Sequence, residues 1–174
     1  MRLCTRCEAL VRCRSRVVPG AGAAPALVAF VGLAPGRLGV DRTGIPFSGD
    51  RSGALLRAMI ARAGIERAFI TNLVRCNPRD ARGRNRDPDR SEIGNCREYL
   101  EAELACARPR LVVCLGRVAW RELAGAVPFN PRGAQPIDAG RWRVYPMYHP
   151  AYVNRGSYSV GAYADDFARL ARAL

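Results

Sequence analysis

The residues with chemical potential in this chain are few and unevenly placed. There are seven cysteines and a single histidine. Cys4 and Cys7 form a Cys-x-x-Cys, Cys76 closes the segment Ile70-Thr-Asn-Leu-Val-Arg-Cys, and Cys96 lies twenty residues further on. Four thiolates suit a 4Fe–4S cluster or a structural zinc. By spacing alone, Cys76 and Cys96 fit equally well as small buried hydrophobes, which free cysteines often are. Cys106 and Cys114 are read that way, and Cys13 stays open. A second group lies in the Gly/Pro-rich run from Gly32 to Asp50, which carries two carboxylates, Asp41 and Asp50, and the aromatic Phe47. Polar Asn72 ends an apolar run, and His149 follows another almost at once.

Those residues must be positioned by the elements between them. Ala26 to Leu33, Ala68 to Asn72, Leu111 to Leu115 and Arg141 to Met147 read as strands, mostly apolar on both faces. Helical spacing runs from Ser52 to Ala63 and again from Asp89 to about Ala107, where Asp89-x-x-Glu92 is a capping box. A further helix opens at Gly116, and Tyr163 to Leu174 is amphipathic. Strands that alternate with helices predict an α/β fold: a single domain over residues 1–174, with a central, mainly parallel four-stranded sheet flanked by helices. Ligands of such sheets gather beyond the carboxyl ends of the strands. The Gly/Pro loop, Asn72 and His149 all fall at that edge.

Composition narrows the partner. The 174 residues carry 28 basic and 15 acidic side chains, a net charge of +13, and every basic one is arginine. GC-rich coding explains arginine in place of lysine but not the surplus, which points to a polyanion, nucleic acid above all. No apolar run approaches the roughly 20 residues of a membrane helix, and no apolar leader segment follows Met1. The expectation is a cytoplasmic protein with no membrane partner, whose cysteines are not a disulfide framework. Charge and cysteines alone also fit a non-catalytic iron–sulfur or zinc module that binds nucleic acid.

Five segments in order resemble the uracil-DNA glycosylase superfamily. Gly32-Leu-Ala-Pro-Gly-Arg-Leu-Gly-Val-Asp41-Arg-Thr-Gly-Ile-Pro-Phe47-Ser-Gly-Asp50 resembles its first motif, and Ile70-Thr-Asn72-Leu-Val-Arg-Cys76-Asn-Pro its second strand. Asn85-Arg-Asp-Pro88 is similar to its Asn-Arg-x-Pro loop, Pro109 to Ala119 to its central strand and turn, and Tyr145-Pro-Met-Tyr-His149-Pro-Ala-Tyr152 to its last motif. The match runs from Cys4 to about Arg155. The iron–sulfur group, family four, lies nearest. Leu33 and Val40-Asp41 depart from that group's acidic residues, and the first motif looks more like family five, which accepts a broader set of damaged bases.

The resemblance implies a base-excision repair enzyme that hydrolyses the N-glycosidic bond of uracil, or of other deaminated bases, in DNA. It implies a 4Fe–4S cluster on Cys4, Cys7, Cys76 and Cys96. The bond breaks through a cationic sugar and a departing base anion, so a carboxylate near the sugar and donors near the base are needed. Asp41 is the first choice for that carboxylate and Asp50 the alternative. His149 would donate to uracil O2. Phe47 would stack on the flipped base, Asn72 would read its edge, and the backbone of Ala34 to Gly36 would approach it closely. Asn85, Arg86 and Tyr152 would touch DNA. Arg79, Arg82, Arg84, Arg86 and Arg90 would face phosphates, and Ala151 to Val153 would wedge into the duplex. Without lysine there is no side-chain amine for a Schiff base, so a monofunctional enzyme that leaves an intact abasic site is expected; a monomer is the expected state.

Overall fold

The computed structural model describes residue 1 and residues 3–174. Its elements, in chain order, are α1 (Glu8–Cys13), β1 (Ala21–Gly22), β2 (Val28–Gly32), α2 (Val40–Thr43), α3 (Arg51–Arg62), β3 (Ala68–Asn72), α4 (Arg90–Ala107), β4 (Leu111–Leu115), α5 (Arg117–Ala124), β5 (Ile137–Ala139), β6 (Trp142–Met147), α6 (Pro150–Asn154) and α7 (Val160–Arg172). The four apolar runs form the parallel heart of the sheet, with β2 paired to both β3 and β4, and β4 paired to β6.

The sheet is nonetheless six-stranded and mixed, in the order β1-β3-β2-β4-β6-β5. This corrects the expected count of four. The two additions are antiparallel edges: β1 against β3, and β5 against β6. Each is only two or three residues long, too short for an alternation of apolar and polar positions to be read. The β5–β6 edge is a hairpin that turns at Gly140, whose φ of 63° suits glycine.

Alternating residues of each strand feed two cores. Val31, Val112 and Val144 pack with Ile93, Leu100 and Leu104 of α4 and Trp120 of α5. Val28, Phe30, Val113 and Tyr145 pack with Leu56 and Met59 of α3 and Phe167 and Leu170 of α7. Burying each such large side chain contributes about 1.5–3 kcal/mol, which fixes the strands whose ends carry the polar residues. The Asp89–Glu92 capping box forms as the sequence implies. The buried stripe of α4 is Ile93, Cys96, Leu100, Leu104 and Ala107. Cys106 falls off that stripe and is exposed, contrary to its reading as a buried thiol, whereas Cys114 is buried. No helix among the described residues is long and apolar enough to cross a membrane.

Candidate active site

A cavity of about 440 Å³ opens at the carboxyl ends of the parallel strands. Its walls come from the loop after β2 (Leu33 to Gly36), Asn72 at the end of β3, Leu115 and Gly116 after β4, and His149 after β6. Phe47, Asp50 and Ser52 close one side; Asn77, Asn85, Arg86, Arg117 and Arg155 stand around it. Of the residues singled out in the sequence, the fold thus brings together Ala34, Gly36, Phe47, Asp50, Asn72, Asn85, Arg86 and His149.

His149 caps α6: its Nδ1 accepts the Ala151 N–H at 3.1 Å. The remaining proton of the neutral ring therefore sits on Nε2, as a donor. Burial lowers its pKa to about 4, the charge of Asp50 acting against this and that of Arg155 adding to it. A neutral imidazole at physiological pH follows. Its ring centroid lies 5.5 Å from that of Phe47.

Phe47 is 3% exposed and has φ of 49°, a left-handed conformation unusual for an aromatic residue. Arg57 holds it there, donating to the carbonyls of Phe47 at 2.9 Å and Pro46 at 2.8 Å. Strain of this kind persists where surrounding structure enforces it, often at functional sites. Gly32 makes room beneath: a Cβ there would lie 2.5 Å from Asn72 Oδ1 and 2.7 Å from the Phe47 ring. Arg75, 1% exposed, donates to the Asn72 carbonyl at 2.7 Å and pairs with Glu103 at 2.5 Å, so the strand end that presents Asn72 is gripped from behind.

The two aspartates separate. Asp50 is the N-cap of α3, its Oδ1 accepting the Gly53 N–H at 2.8 Å. Its Oδ2 faces Gly36 and Gly39, where a Cβ would come within 3.5 Å and 2.8 Å of it. Asp41 is wholly buried and does not line the cavity. Both its oxygens accept the Ser15 N–H at 3.1 Å, and Arg79 pairs with it at 2.6 Å. Arg79 in turn donates to Asn77 Oδ1 at 2.7 Å, and Asn77 donates to the Pro35 carbonyl and to Asn85 Oδ1. Asp41 is thus tied to the cavity wall through Arg79 and Asn77. Asn77, fully buried, had drawn no attention in the sequence; its only signal there was a polar residue between Cys76 and Pro78.

The loop arginines are largely committed to carboxylates: Arg86 to Glu92 through two bonds of 2.7 and 2.5 Å, and Arg84 to Asp80 at 2.9 Å. With Arg79 on Asp41, three of the five arginines expected on phosphates are occupied. Of the stretch 151–153, Val153 is 4% exposed, Ala151 lines the cavity, and half-buried Tyr152 stacks on Tyr148.

Cys4 and Cys7 stand on the N-terminal segment, Cys76 on the loop after β3 and Cys96 in the second turn of α4. They lie within electrostatic reach of one another, Cys76 sensing Cys96 and Cys4, and Cys96 sensing Cys7 and Cys4. Among the described residues no three His, Cys, Asp or Glu side chains converge tightly enough for a single ion. A four-iron cluster places each thiolate on its own iron, so its ligands stand further apart. Donors suited to thiolate sulfur are present: Arg14 Nη1 lies 3.1 Å from Cys76 Sγ, and Asn95 Nδ2 lies 3.4 Å from Cys7 Sγ. Burial pushes the Cys76 and Cys96 thiols up. At Cys4 burial acts the same way but is outweighed by the Arg6 backbone N–H, the Tyr99 hydroxyl and two guanidinium groups, and its thiol is lowered. Cys13 instead donates to the Asn77 carbonyl at 3.3 Å.

Comparison with known proteins places the chain in a family. A protein named Type-4 uracil-DNA glycosylase from Archaeoglobus fulgidus is 35% identical over 179 positions, covering 96% of this chain and 86% of that protein. A Type-5 uracil-DNA glycosylase from Pyrobaculum aerophilum is 34% identical, covering 97% and 88%. A Type-4 uracil-DNA glycosylase from Thermotoga maritima is 34% identical over 89% of this chain. The family model described as the Uracil DNA glycosylase superfamily matches residues 19–173, nearly the whole sequence, and the chain belongs to that superfamily.

Proposed function

We propose that this protein is a monofunctional uracil-DNA glycosylase that hydrolyses the N-glycosidic bond of uracil in DNA and leaves an abasic site. The observation that carries the reading is the convergence of a neutral His149, the Asp50 carboxylate, Phe47 and Asn72 on one cavity at the strand ends.

The target base must leave the stack to expose its sugar bond. Phe47 covers its face, the backbone of Ala34 to Gly36 approaches its edge, and the Asn72 amide donates to and accepts from the pyrimidine. As the bond breaks, negative charge builds on the base, and the Nε2–H of His149 donates to uracil O2. The carboxylate role falls to Asp50, whose Oδ2 stabilises the cationic sugar and orients the attacking water. Asp41 acts through Arg79 and Asn77, holding the wall in place. Asn85 helps set the loop through which DNA is met, and Arg86 shapes the wall from its pairing with Glu92.

Cys4, Cys7, Cys76 and Cys96 would hold a 4Fe–4S cluster. When bound, the cluster would supply a covalent tie between the N-terminal segment, the loop after β3 and α4. Arg14 and Asn95, beside the Cys76 and Cys7 sulfurs, would complement its sulfur charge.

The test is an oligonucleotide with one central uracil, treated with the purified protein and then with alkali. Free uracil and an alkali-labile site are expected, with no strand break before alkali and about four irons per chain. Intact substrate with a fully loaded protein would sink the proposal.

A further inference from the structure

Beside the cavity the structure carries a second feature that the glycosidic chemistry does not use. Four half-buried aromatic rings run together beyond the end of β6. Tyr148 lies at the centre, with Tyr152 stacked on it at 4.9 Å, Tyr158 tilted at 4.7 Å and Phe129 edge-on at 6.0 Å between centroids. The Tyr163 hydroxyl donates to the Tyr148 carbonyl at 3.1 Å and anchors the strip to α7. Arginines cap both ends: Arg117 lies 5.6 Å over Phe129, and Arg132 lies 5.8 Å over Tyr158.

The strip adjoins the cavity: Arg117, which lies over Phe129, and Ala151, next to Tyr152 in the chain, both line it, as does Arg155. Its charge is also uncommitted. Among the described residues, Arg117, Arg132 and Arg155 have no carboxylate within ion-pair distance, whereas Arg79, Arg84 and Arg86 are paired. Aromatic faces interleaved with free arginines are the chemistry that binds unpaired nucleotides: rings stack on bases of any identity while guanidinium groups meet phosphates.

We propose that Phe129, Tyr148, Tyr152 and Tyr158, with Arg117 and Arg132, form a subsite for an unpaired DNA base next to the target nucleotide. This rests on the reading of the cavity as the site of the target uracil. It predicts a preference for single-stranded or locally opened DNA, because only there is the neighbouring base free to leave its partner. It also predicts that the contact lies on one side of the target only, because the strip flanks one side of the cavity.

The test uses single-stranded oligonucleotides with a central uracil and a baseless spacer at the neighbouring position, on the 5′ side in one and the 3′ side in the other. Affinity is read by fluorescence anisotropy, and uracil release is measured separately. The spacer on one side should weaken binding roughly tenfold, while the spacer on the other changes little. A Tyr158→Leu protein should bind intact and spacer oligonucleotides alike, and Arg132→Gln should weaken both. Equal binding of all three oligonucleotides by the unaltered protein would overturn the subsite, as would a spacer effect that survives undiminished in Tyr158→Leu. If uracil is released while binding ignores the spacer, the subsite fails and the glycosylase reading stands. If binding senses the spacer and no uracil is released, the subsite stands and the glycosylase reading fails.

Discussion

His149 shows how an ordinary residue type acquires a definite chemical state from its neighbours. The sequence left its charge open. The Ala151 N–H occupies Nδ1, and burial disfavours the cation, so the ring is a neutral Nε2 donor. Its pKa is lowered from the ordinary value of 6.5 to about 4. The unfolded chain therefore takes up a proton before the folded one does. The stability that His149 brings is present above about pH 6.5 and is lost as pH falls toward about 4. Because the chain has one histidine, its ring resonances can be followed without ambiguity. They are expected to stay constant between about pH 8 and about pH 5.5 and to move with a midpoint near 4. A midpoint at the unperturbed value would remove the neutral donor from the account. The aspartates carry the complementary lesson. Both fall in the same Gly/Pro-rich stretch of sequence, and burial and partners, Ser15 and Arg79 for Asp41 in α2 and the α3 N-terminus for Asp50, separate them.

At the scale of elements, strand ends and loop glycines set the distances in the cavity. Gly32 terminates β2 where Asn72 terminates β3, in direct register. The missing Cβ lets the Asn72 amide and the Phe47 ring share the floor. Gly32→Ala should cost about 1–3 kcal/mol through overpacking and lower the melting temperature by several degrees. Its loss of uracil release should exceed what the unfolded fraction explains; unchanged melting and unchanged activity would contradict this placement. The parallel strands were legible because β2 and β4 are continuous apolar runs and β3 and β6 are mostly apolar, and α4 because its capping box and buried stripe agree. β1 and β5 were not, because strands of two and three residues carry no periodicity. The buried relay from Asp41 through Arg79 to Asn77 was equally hidden: it joins residues 38 positions apart or more closely spaced across a turn, and polar loop residues look alike until they are packed.

For the whole molecule, the net charge of +13 correctly pointed toward a polyanion, but not to where it is met. Internal pairing ties up Arg75, Arg79, Arg84 and Arg86, while Arg117 and Arg155 at the cavity and Arg132 over Tyr158 have no ion-pair partner among the described residues. The logarithm of affinity for DNA should fall steeply with the logarithm of salt concentration, and Arg132→Gln should reduce that slope by about one. Arg84→Gln, which removes a partner of Asp80, should leave it unchanged. Equal changes in both variants would mean that ion pairing does not decide which arginines reach phosphate. The central claim is that the carboxylate of the reaction is Asp50, in the cavity, and not the buried Asp41. The measurement is the single-turnover rate of uracil release from a uracil-containing oligonucleotide by the unaltered protein, Asp50→Asn and Asp41→Asn, each corrected for the folded fraction. The account predicts a loss of roughly 10²- to 10³-fold for Asp50→Asn and less than about tenfold for Asp41→Asn. A near-normal rate in Asp50→Asn beside an inactive, folded Asp41→Asn would contradict it.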